Sequence, residues 1–89
     1  MRYSLEFGPK AEKFIDKLQK DIAIRIIEKL KQIQEDPFRY LEHYEGDGCY
    51  KMRIGDFRAL IDVDFDNKKL VVRIVDRRGR IYDVFRHGA

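Results

Sequence analysis

The sequence predicts a small α+β domain, in the order β-α-α-β-β-β-β. An N-terminal helical hairpin packs on a small, mainly antiparallel sheet. Three observations carry this. Residues 3–7 alternate apolar and polar, two helical stripes follow directly, and the whole second half reads as strands separated by short turns. The chain has 89 residues, which suits a single domain, 1–89, with one modest core.

Tyr3, Leu5 and Phe7 share one side of a period-2 pattern, the mark of a half-buried strand. Gly8-Pro9 breaks it, and Pro9 suits the first turn of a helix, where a missing N–H costs nothing. Ala11, Phe14, Ile15 and Leu18 form the stripe of an amphipathic helix over 10–20. Asp21 is placed to cap a second helix, whose stripe is Ile22, Ala23, Ile26, Ile27, Leu30 and Ile33. Asp36-Pro37 ends it, because a residue before proline disfavours the α region. Residues 38–48 have no clean period and read as a connecting loop. Strands are expected at Tyr50–Ile54, Phe57–Phe65, Leu70–Val75 and Ile81–Phe85. The turns between them are Gly55-Asp56, Asp66-Asn67-Lys68 and Arg77-Arg78-Gly79-Arg80.

Charge is unevenly placed. The net charge is +3, with 39% of residues charged. Residues 1–48 balance at −1 and residues 49–89 at +4, so the C-terminal half suits a polyanionic partner. Cys49 is the only cysteine, which excludes an intramolecular disulfide and fits a reducing, intracellular setting. The alternating N-terminus does not read as a signal peptide. No apolar run approaches the ~18–20 residues of a membrane span. His43 and His87 are isolated, Cys49 has no ligand near it, and no Gly-rich phosphate loop is present, so no metal site is expected. Cys49 reads as a lone buried thiol rather than half of a nucleophilic pair.

The informative stretch is Tyr50-Lys51-Met52-Arg53-Ile54-Gly55-Asp56-Phe57-Arg58. A two-residue loop at Gly55-Asp56 pairs Ile54 with Phe57 and Arg53 with Arg58. Lys51, Arg53 and Arg58 then gather on the face away from the apolar set. Like charges placed opposite one another destabilise a sheet, so such a cluster suggests an absent anion. Phosphate fits, since arginine offers it a bidentate fork and lysine a point charge. The competing reading is a solvated face with Asp62 and Asp64 as partial counterions. Arg77, Arg78 and Arg80 add cations at a turn expected to approach the same end of the sheet. Tyr82 and Phe85 offer rings either for base stacking or for the core. RNA needs no metal here. Its 2′-OH is the nucleophile, and clustered cations stabilise the phosphorane charge.

The element order, the Asp36-Pro37 break, and Cys49-Tyr50-Lys51-Met52-Arg53-Ile54 followed by Phe57-Arg58-Ala59-Leu60-Ile61 resemble the RelE/ParE toxin superfamily, and within it RelE. The resemblance implies the toxin of a type II toxin–antitoxin pair. It would be a cytoplasmic endoribonuclease that cleaves mRNA in the ribosomal A site without a cofactor, leaving a 2′,3′-cyclic phosphate. Its partners would be the ribosome, mRNA and a RelB-like antitoxin wrapped around it in a hetero-oligomer. Lys51 matches a catalytic lysine of that pattern, and Arg53 stands where other members carry a second lysine that abstracts a proton. Arg58 matches the phosphate-holding arginine. Arg78 matches the late arginine that stabilises the transition state or protonates the leaving group. Tyr82, or Phe85 under another alignment, matches the late substrate-facing aromatic. Arginine is a very poor base, so Lys51 would then take the proton, or Arg53 acts only electrostatically. Two further readings remain: a ParE-like toxin acting on DNA gyrase without nuclease activity, and a non-catalytic RNA- or partner-binding module.

Overall fold

The computed structural model describes residues 2–46 and 48–82. The elements are β1 (Ser4–Phe7), α1 (Pro9–Asp16), α2 (Lys20–Gln32), a 3-10 turn (Pro37–Arg39), β2 (Glu42–Glu45), β3 (Cys49–Ile54), β4 (Phe57–Asp64) and β5 (Lys69–Arg77). The strands form one sheet in the order β1-β5-β4-β3-β2. Only the β1–β5 pair is parallel, and the other three pairs are antiparallel. This is the α+β architecture the sequence predicts.

Local chemistry explains the first crossover. The Gly8 N–H donates to the Val72 carbonyl at 2.8 Å, and Gly8 caps α1 in extended geometry with Pro9 just inside it. Ala11 and Ile15 of α1 and Ile26 and Leu30 of α2 are buried with Met52, Ala59, Ile61 and Val72 of the sheet. The helix pair therefore covers one sheet face.

Both helices are shorter than their stripes predict. α1 ends at Asp16, and Leu18 packs against the core from beyond it. Gln19, not Asp21, is the N-cap of α2; Asp21 lies in the first turn, where a carboxylate still favours the helix dipole. α2 stops at Gln32, before Asp36-Pro37 can act. The competing interaction is visible. Tyr3 donates its N–H to the Gln34 carbonyl at 2.9 Å, and the Gln34 side chain donates to the Tyr3 carbonyl at 2.8 Å. Joining the end of α2 to the start of β1 draws Gln34 out of the helix.

Two strand expectations are corrected. The segment read as a loop over 38–48 contains β2, which pairs with β3 through Glu42–Lys51 and His43–Tyr50. Its sequence, Glu-His-Tyr-Glu, has no apolar alternation, because it is a short, largely exposed edge strand held by backbone pairing. The strand expected at Ile81–Phe85 is not seen in its described part. Ile81 and Tyr82 are helical, and residues 83–85 lie outside the described residues. Ile81 is fully buried against Leu60 and Ile74, and one buried anchor after a Gly-Arg turn does not select strand over helix. The strand count survives because β2 replaces the last expected strand.

Leu60, Ile74 and Ile81, with Tyr44 and Tyr82 beside them, form a second small core. It lies on the sheet face opposite the helices, since Leu60 alternates along β4 with Ala59 and Ile61 of the helix-side core, and Ile74 pairs with Leu60. The basic hairpin borders this second core. Among the described residues, no helix is long and apolar enough to cross a membrane.

Candidate nucleic-acid interface

The hairpin is the one the alternation predicts. Ile54 pairs with Phe57, Arg53 with Arg58 and Met52 with Ala59. Gly55 has φ +58°, and Asp56 does not have a positive φ. A positive φ at the first central residue alone is the pattern of a type II′ turn, whose twist matches the flanking strands. Met52, Ile54 and Ala59 are buried under the helices. Lys51, Arg53 and Arg58 are therefore turned to the other face.

Each cation is held differently. Arg58 folds back on its own turn, its Nη1 donating to the Gly55 carbonyl at 2.9 Å and to the Phe57 carbonyl at 2.8 Å. That leaves the Nε–Nη2 edge as a fixed fork, the geometry that reads phosphate bidentately. Arg53, directly opposite, is exposed. Lys51 Nζ lies 3.9 Å from Glu42 Oε2 across the β2–β3 pair. An exposed pair at that distance contributes only about 0–1 kcal/mol, so it does not cancel the local positive field.

The acidic counterions considered from sequence are engaged elsewhere. Asp62 pairs with Arg73 at 3.4 Å. Asp64 accepts from the Asn67 backbone and side chain at 3.1 and 2.8 Å. Asp76, which the sequence reading did not consider, is buried opposite Arg58 on β5 and accepts the Arg77 N–H at 2.6 Å.

Lys51, Arg53, Arg58 and Tyr82 line a single open groove of about 450 Å³, together with Arg39, Tyr40, Leu41, Glu42 and Met52. Tyr82 is half-buried and stacks on Tyr44 at 5.2 Å between ring centroids. It thus serves the second core and the groove at once. Arg39, Glu42 and Tyr44 were not visible as site residues from sequence. All three fall in the stretch without a period, and only the pairing of β2 with β3 brings them to the hairpin.

The late arginines divide. The Arg78 N–H donates to the Asp56 carbonyl at 3.0 Å, so the turn does reach the hairpin. Arg77 and Arg78, however, line a different depression of about 600 Å³, with Arg25, Ile22, Ile26, Ile54 and Phe57. Arg77 lies over the Phe57 ring, 5.9 Å from its centroid, on the helix side of the sheet. Arg80 is exposed and lines neither groove. Phe85 lies outside the described residues.

Cys49 is no activated nucleophile. Burial pushes its thiol above the ordinary value, and the Asp62 carboxylate, its cross-strand neighbour, pushes it further. A raised value means less thiolate at neutral pH, and the thiolate is the reactive form. Alkylation of Cys49 by iodoacetamide at pH 7.5, followed by mass spectrometry, is expected to run several-fold slower than that of a free cysteine, and to accelerate as pH rises. A rate at or above that of free cysteine contradicts this.

Two helices packed on a five-stranded mixed sheet match the fold of solved RelE-type toxins. The RelBE2 toxin–antitoxin complex of Mycobacterium tuberculosis matches with TM-score 0.78 at 23% identity, over 88% of this chain and 100% of that one. The RelE–RelB complex of the archaeon Pyrococcus horikoshii matches with TM-score 0.76 at 24% identity, over 90% and 99% of the two chains. A mutant of the Escherichia coli toxin RelE in the free state matches with TM-score 0.77 at 23% identity, over 98% and 99%. At these identities the likeness is one of fold. No curated protein matches by sequence. Residues 5–81 match the family described as ParE toxin of type II toxin-antitoxin system, parDE. The chain belongs to that family, and so is the toxin of a type II toxin–antitoxin system.

Proposed function

We propose that the chain is a metal-independent endoribonuclease that cleaves mRNA in the ribosomal A site. The observation that supports it best is the groove itself, where Lys51, Arg53 and Arg58 share one open face with the half-exposed ring of Tyr82. In this reading Arg58 holds the scissile phosphate through its free edge. Lys51 and Arg53 stabilise the charge that develops on the equatorial oxygens. Tyr82 stacks on a base and fixes the nucleotide. The attacking group is the RNA's own 2′-OH, so cleavage leaves a 2′,3′-cyclic phosphate and a free 5′-OH. Arg39 widens the cationic rim. Arg77, Arg78 and Arg80, on and beside the neighbouring depression, meet flanking phosphates, and Arg78 reaches the reacting one only if the RNA bends over the Gly55-Asp56 turn.

The partners in this reading are the ribosome with its mRNA, in the cytoplasm, and a cognate RelB-like antitoxin. The solved complexes of similar fold contain RelB antitoxins, which supports a protein partner of that kind here. A second reading has one observation in its favour, since the matching family is described by ParE. A ParE-like toxin acts on DNA gyrase and has no use for the Lys51/Arg53/Arg58 constellation. Mapping mRNA ends after induction separates the two.

A further inference from the structure

We propose that Glu42 is the proton acceptor of the groove, a role that rests on the RNA-cleavage reading above. In-line attack needs a group that takes the 2′-OH proton. Among the described residues, and apart from Glu42, the ionisable side chains lining the groove are arginines, Lys51 and two tyrosines. Guanidinium, ammonium and phenol groups all ordinarily hold their protons at neutral pH. Each must lose a proton before it can accept one. Among the described residues lining the groove, Glu42 is the one whose group type is ordinarily already in its basic form at neutral pH.

Position supports the chemistry. Glu42 lies on edge strand β2, directly across from Lys51, and therefore on the same sheet face as the three cations. Its side chain is 77% exposed and forms an ion pair with Lys51 Nζ at 3.9 Å. Lys51 thus holds the carboxylate at the rim of the groove without closing it off. Lys51, Arg53 and Arg58 surround the substrate phosphate and favour the developing negative charge, which offsets the weak basicity of a carboxylate.

The step balances. As the O2′–P bond forms, the 2′-OH proton passes to the Glu42 carboxylate. The P–O5′ bond breaks, and the departing O5′ takes a proton from water, which reaches the open groove. Glu42 then returns its proton to the hydroxide left behind. Lys51 is a positioning and charge-stabilising residue in this scheme, and Arg53 needs to accept no proton.

The test uses the purified chain and programmed ribosomes carrying mRNA with an open A site, with single-turnover cleavage and ribosome binding measured separately. Glu42→Gln is expected to slow cleavage by about 10²-fold or more, the usual loss on removing a general base. Binding should stay equal or tighten, because a negative charge has been removed. Glu42→Asp should recover part of the rate. Because Glu42 is exposed, an unchanged melting temperature checks the fold. Wild-type cleavage that persists undiminished in Glu42→Gln overturns the role of Glu42 alone. No cleavage by the wild type under any ribosomal condition overturns the RNA-cleavage reading, and this inference with it.

Discussion

Arg58→Ala is expected to reduce mRNA cleavage by about 10²–10³-fold, the scale on which one preorganised charge-stabilising donor acts, and to relieve growth arrest. Arg58 is ordered in advance by its own turn. Its Nη1 is already committed to the Gly55 and Phe57 carbonyls, so its free edge does not have to be ordered when phosphate arrives. The same contacts predict a small structural cost. They are exposed or half-buried hydrogen bonds, each worth about 0.5–1.5 kcal/mol, so the variant should remain folded. Arg58→Lys keeps the charge but loses the fork, and an intermediate rate is expected. Cleavage on translating ribosomes with a parallel thermal melt checks both. A folded Arg58→Ala protein with wild-type cleavage removes Arg58 from the site.

Leu60→Ala is expected to cost about 2–5 kcal/mol, as for other fully buried leucines. At about 4–8 °C per kcal/mol for a domain of this size, the melting temperature should fall by roughly 10 °C or more. Leu60 is chosen because its side chain is fully buried on the sheet face that carries the cations. Ile74, Ile81 and Tyr82 pack around it, so a cavity there also loosens the support of the Tyr82 ring. Leu30→Ala, in the core under the helices, should cost a similar amount without touching that support. Below both melting temperatures, Leu60→Ala should therefore lose more cleavage activity than Leu30→Ala. Equal activity in the two folded variants would show that the second core does not position Tyr82.

The parts of the fold that were legible in the sequence are those with strong periods. Lys51, Met52, Arg53 and Ile54 alternate cleanly, and the glycine of Gly55-Asp56 fits the positive φ its turn requires, so pairing and face followed together. The helices were legible in kind but not in length. Tertiary hydrogen bonds between Tyr3 and Gln34 decide where α2 ends, and no local pattern encodes them. β2 was illegible because an exposed edge strand needs no apolar alternation. Missing it hid Arg39 and Glu42, which reach the groove only through the pairing of β2 with β3. The Arg78 backbone reaches the hairpin turn, but the residue lines the neighbouring depression, since β5 runs on to Arg77 and carries the late turn past the groove.

This toxin is proposed to act on mRNA through the Lys51/Arg53/Arg58 groove. The most direct test is to map mRNA ends across the transcriptome of translating cells shortly after the toxin is induced, with end chemistry determined. Cleavage within reading frames, phased to codons, lost when translation is blocked and ending in 2′,3′-cyclic phosphates, is the predicted result. Intact mRNA during growth arrest, with gyrase inhibited, would contradict it.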